Sequence, residues 1–78
     1  MRHYLEEAAK RASDLTVENN DFGCYISVRP YGFLVDATKE VDDKIIRKVR
    51  VVPWEIFEGN LVNPLLFAID SLVAELQQ

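Results

Sequence analysis

Apolar residues fall with helical spacing at both ends of the chain and with a period of two across its middle, an order that leaves few folds open. Between Arg2 and Glu18 they occupy Tyr4, Leu5, Ala8, Ala12 and Leu15, one face of a helix, while Glu6, Glu7, Lys10, Arg11 and Asp14 take the other. Glu6 with Lys10 and Glu7 with Arg11 have the favourable i,i+4 order. Asn19 and Asn20 supply residues that tolerate the left-handed conformation at a helix end, and the alanines at 8, 9 and 12 allow close approach beneath. At the other end, Asn63 as N-cap and Pro64 as first helical residue announce a second helix carried by Leu65, Leu66, Ile69, Leu72, Val73 and Leu76.

The middle reads as strands. Phe22, Cys24, Ile26 and Val28 alternate with Gly23, Tyr25, Ser27 and Arg29. Arg29-Pro30-Tyr31-Gly32 is a turn with proline at its second position, and it leads into a strand from Phe33 to about Thr38. Lys39 to Lys44 is charged enough to predict a solvated loop. A third strand covers Ile45 to Val52, with Val49 and Val51 facing one way and Lys48 and Arg50 the other. Arg47 falls on the apolar side, which calls for a bulge or a later start. Pro53 closes the strand, and Trp54 to Gly59 predicts a short helical turn ended by glycine. The expectation is a single α+β domain over residues 1–78. It is an α-β-β-β-α two-layer sandwich, a three-stranded antiparallel meander with both helices on one face.

A chain of 78 residues hides only about 60% of the surface its unfolded form exposes, so its core is small. Cys24 is the lone cysteine and cannot pair within the chain, and with His3 it falls short of a zinc ligand set. Neither a disulfide, a metal nor a cofactor is expected, which leaves self-association, a homodimer, as the available supplement. No apolar stretch approaches the roughly 20 residues that cross a bilayer, and the first residues turn acidic where a signal peptide turns apolar. With one free cysteine, a cytoplasmic setting is the expectation, with no membrane partner.

The element order is also that of the double-stranded-RNA-binding domain, which the topology resembles. Such domains bring lysines to the start of the second helix; here that helix begins Asn63-Pro64-Leu65-Leu66-Phe67 with no base, so the resemblance does not imply the function.

Catalytic patterns are missing as well. Cys24 sits on the apolar side of its strand, Ser13, Ser27 and Ser71 lack a nucleophile context, and the three glycines form no phosphate loop. Glu40, Asp42 and Asp43 lack the spacing of a calcium loop. Glu55 and Glu58 make an acid-base pair only inside a cleft. The expected activity is therefore not enzymatic.

Charge gives the remaining lead. The net charge is -4, and residues 51–78 carry four acids and no base. Phe67 falls opposite the apolar arc of the last helix, beside Asp70. It either packs under the Trp54 to Gly59 segment or, with Trp54, forms an exposed anchor rimmed by Glu55, Glu58 and Asp70. The leading expectation is a protein-interaction module, an adaptor or inhibitor of the kind phages also encode, whose partner presents a basic surface. The alternative is nucleic-acid binding by Lys44, Arg47, Lys48 and Arg50, with Tyr25 or Tyr31 as stacking platforms; an acidic domain gains little from counterion release, which makes nucleic acid the weaker reading.

Overall fold

A computed structural model describes residues 2–19, 21–58 and 62–77. Helix α1 (Arg2–Glu18) is followed by strands β1 (Phe22–Arg29), β2 (Gly32–Val41) and β3 (Lys44–Pro53), a 3-10 turn η1 (Trp54–Phe57) and helix α2 (Pro64–Leu76). The sheet is an antiparallel meander in the order β1-β2-β3. Its buried residues Phe22, Phe33, Val35, Ala37 and Val52 share one face, against which the helices pack. The expected α+β sandwich is the observed one.

Local chemistry explains the element ends. Asn19 closes α1 by turning both its backbone N–H and its side-chain Nδ2 onto the Leu15 carbonyl, at 3.0 and 3.1 Å. Asn63 caps α2: its Oδ1 accepts from the Leu65 N–H at 3.0 Å, while its Nδ2 donates to the Tyr4 carbonyl at 2.9 Å and so ties the two helices together. Asn20 and Gly59, expected to help end α1 and η1, lie outside the described residues. Leu65, Ile69 and Leu72 of α2 and Val35 of β2 are the largest fully buried side chains, each contributing about 1.5 to 3 kcal/mol of burial. Ala8 and Ala12 are buried where α1 meets α2 and β1, as small residues at a close contact should be.

Three local expectations are corrected. Lys39 to Lys44 is no loop: β2 continues to Val41, Asp42 and Asp43 form the turn at φ 50° and 65°, and β3 begins at Lys44. Two consecutive left-handed residues are what a twisted two-residue hairpin requires, and aspartate tolerates them. Nor is there a bulge at Arg47, because the register runs unbroken from Gly32↔Pro53 to Val41↔Lys44. Arg47 instead shares the open face with Val49 and Val51, and the helix-covered face of β3 carries Lys48, Arg50 and Val52. Finally, Arg11 reaches across to Asp70 of α2 at 2.7 Å rather than along α1 to Glu7, while Arg2–Glu6 and Lys10–Asp14 are the pairs along the helix.

Candidate functional site

Phe67 faces solvent. It is 72% exposed on α2 and does not pack under η1, so the first of its two expected placements is overturned. The reason is its phase on the helix: Leu65, Ile69 and Leu72 turn inward, and position 67 turns away from them. Beside it, between α2 and the outer strand β3, runs a groove of about 380 Å³. Val51 and Val52 line it from β3 beside Arg50, which Glu75 pairs, Phe67 and Ala68 line it from α2, and Ile56 and Val62 complete its apolar lining. Val62 is 65% exposed and Ile56 and Val51 are exposed as well, so apolar side chains face solvent along this groove.

Trp54 is elsewhere. Its ring stands edge-on to Phe33 at 5.0 Å, and its Nε1 donates to the Pro30 carbonyl at 2.8 Å. Its backbone N–H also donates to Tyr31, at 3.3 Å. Trp54 thereby clamps the Pro30-Tyr31 turn onto the edge of the core, a structural task, and does not line the groove. The structure therefore does not bring Trp54 and Phe67 together in one anchor. Glu55 and Glu58 are exposed on either side of Ile56, and Asp70, one helical turn beyond Phe67, is held by Arg11. Sequence reasoning missed Ile56, Val62 and Val51; the available signal was that all three are apolar residues with no place in the helix-covered layer.

The two arginines of the basic strand are paired, whereas Lys44 and Lys48 have no partner among the described residues. Arg47 donates from its Nε to Asp36 Oδ2 at 2.7 Å and approaches the same oxygen with its Nη2, while Oδ1, buried, has no hydrogen-bond partner. That hydrogen bond, with the Asp36 charge, holds the Arg47 pKa above its ordinary value. Arg50 pairs with Glu75 of α2 at 2.7 Å. Lys48 and Arg50 lie on the helix-covered side of β3, whereas Tyr25 lies on the open face opposite Asp36; Tyr31 is in the distant turn. Of the four cations, Arg47 alone thus shares a face with Tyr25, and it is bonded to Asp36.

Cys24 is half-buried between β1 and α1. Burial first, and the charge of Asp36 second, push its thiol pKa up, the reverse of what a nucleophile needs. A linked consequence can be checked. The folded chain holds this proton more tightly than the unfolded chain, so stability is unaffected below the ordinary thiol range and falls as pH rises through and beyond it. The urea midpoint of the wild-type protein should drop more between about pH 7 and about pH 10 than that of Cys24→Ala. Parallel declines would show that Cys24 is not the group responsible.

Among the described residues no cluster of His, Cys, Asp and Glu could hold a metal ion, and no helix is long and apolar enough to cross a membrane. No family model, no curated protein and no solved structure matches the chain.

Proposed function

We propose that the chain is a small non-enzymatic protein-interaction domain, an adaptor or inhibitor by class, that docks a partner in the groove between α2 and β3. The observation that carries this reading is the exposure of Phe67 beside an apolar channel. Leaving a phenylalanine in water forgoes about 1.5 to 3 kcal/mol of burial that folding does not recover, and a partner can recover it. Glu55 and Glu58 flank the Ile56-Phe57 pair in the chain and Asp70 lies one helical turn from Phe67, so the fitting partner brings an apolar side chain flanked by basic ones. Arg11 already offsets Asp70, which leaves Glu55 and Glu58 to set the preference. A homodimer on the open sheet face, where Tyr25 is 67% exposed, is compatible with this groove remaining free.

The reading is tested by paired capture from a lysate of the source organism with wild-type protein and Phe67→Ser as baits. Loss of the buried contact should weaken a docked partner by at least about 2 kcal/mol, enough to remove it from the variant bait. The melting temperature should stay within a few degrees, because Phe67 contributes little to the core. The same proteins in equal amounts on both baits would rule the groove out. Capture of RNA or DNA that disappears with the Lys48→Glu and Arg50→Glu pair would move the function to β3.

A further inference from the structure

β3 is an edge strand, paired with β2 on one side only. The two-residue turn at Asp42 and Asp43 makes Val41↔Lys44 the pair that exchanges both backbone hydrogen bonds, so Lys44, Ile46, Lys48, Arg50 and Val52 bond inward to β2. The inward bond from Trp54 N–H to Tyr31, at the next even position, has the same phase. Ile45, Arg47, Val49 and Val51 therefore direct their N–H and C=O groups outward. From Lys44 to Val49 every residue is exposed, and Ile45 is 73% so. A long edge of this kind with apolar side chains is a ready template for another strand.

We propose that the free edge of β3 is a docking site for an extended acidic segment of a partner protein, one in which carboxylate and apolar residues alternate, added as a fourth strand. This inference goes beyond the groove reading and does not need it. Charge complementarity names the occupant. β3 carries Lys44, Arg47, Lys48 and Arg50 and no acid. Asp36 and Glu75 already engage the two arginines, whereas Lys44 and Lys48 have no partner among the described residues. A strand laid along this edge meets Lys44, Lys48 and Arg50, with Ile46 among them, on the helix-covered side, and on the other side Ile45, Val49 and Val51 beside an Arg47 that Asp36 already pairs. Carboxylates on one face and β-branched residues on the other satisfy both.

A second copy of β3 does not. Because only odd-numbered positions face outward, a symmetric antiparallel pair must match odd with odd and even with even. The registers centred on the strand then set Arg47 against Arg47, Lys48 against Lys48, or Lys48 against Arg50, and like charges directly opposite are destabilising. The net charge of -4 gives no long-range steering toward an acidic segment, so recognition rests on the edge contacts themselves.

The test uses the full chain, isotope-labelled for NMR, titrated with a short synthetic peptide alternating glutamate and valine and with its lysine counterpart. The amide protons of Ile45, Arg47, Val49 and Val51 should become protected from exchange by about tenfold or more on adding the glutamate peptide, while those of Cys24 and Ile26 on the opposite edge do not. The lysine peptide should bind at least about tenfold more weakly. Val49→Pro removes an outward N–H without removing a bond to β2, so the protein should stay folded and lose the peptide. Should that variant unfold, Lys48→Glu keeps the backbone intact and should shift preference toward the lysine peptide. Equal affinity for both peptides would overturn the proposal. So would protection confined to other residues, equal protection by a single-stranded DNA oligonucleotide, or concentration-dependent protection of Val49 in the protein alone.

Discussion

Truncating Leu72 to alanine is expected to lower stability by about 2 to 5 kcal/mol. Leu72 is fully buried in α2, one turn beyond Ile69, in the cluster where both helices meet Phe33, Val35 and Ala37. The loss has two parts, the transfer of the removed methyl groups to water and the cavity left behind, and a layer only two elements thick has little room to collapse around it. A chain of this length has about 4 to 12 kcal/mol of total stability at the usual 0.05 to 0.15 per residue. The substitution therefore takes a large share of it, and in the weaker part of that range the protein is unfolded at body temperature. Urea denaturation followed by circular dichroism measures the effect. An unchanged midpoint would contradict the packing of α2 on the sheet.

Gly32→Ala should be comparably severe for a different reason. Gly32 begins β2 at φ 149°, a conformation L side chains rarely adopt. A Cβ there would lie 2.3 Å from the Val52 carbonyl oxygen and 2.7 Å from the Pro53 Cα. Both obstacles are backbone, so β3 itself must move. The strained dihedral alone costs about 1 to 3 kcal/mol, and displacing the end of β3 from β2 and from Trp54 adds to that. Gly23→Ala is the internal comparison. Its Cβ would meet the Thr38 Oγ1 at 2.8 Å, a side-chain atom that donates to the Gly23 carbonyl at 3.5 Å and can rotate away. Denaturation midpoints should rank wild type, then Gly23→Ala, then Gly32→Ala by a wide margin; equal losses would contradict the close approach at the hairpin.

The helices and the first hairpin were legible because their signals are local. Asn63-Pro64 can cap and start a helix without help from the rest of the chain, and Pro30 sets a turn by its own ring. The third strand was legible but the tight turn that leads into it was not, because that turn is Asp42-Asp43 with neither glycine nor proline, inside a run of charges that reads as solvated chain. What makes this segment a strand pair is tertiary: β2 is held on both sides, and β3 follows it in register to the tip. The same cause hid the facing of β3. Alternation shows that Val49 and Val51 share a side but not which side the helices cover, and the pairing of Arg50 with Glu75 lets the cationic side face α2.

At the candidate site, the phase of α2 was enough to single out Phe67. Trp54 was grouped with it on composition alone, and the structure separates them because the indole finds the Pro30 carbonyl and the Phe33 ring instead. Val51, Val62 and Ile56 come together only once η1 and α2 are folded against the edge of the sheet, a proximity that no spacing in the chain encodes.

The groove reading meets its most direct test in titration calorimetry of the captured partner against wild-type protein and Phe67→Ser at matched concentrations, with both proteins shown folded by their melting curves. The account predicts a loss of at least about 2 kcal/mol, roughly thirtyfold in Kd, with nearly unchanged melting. Equal affinities, or a loss of affinity matched by a collapse in stability, would contradict it.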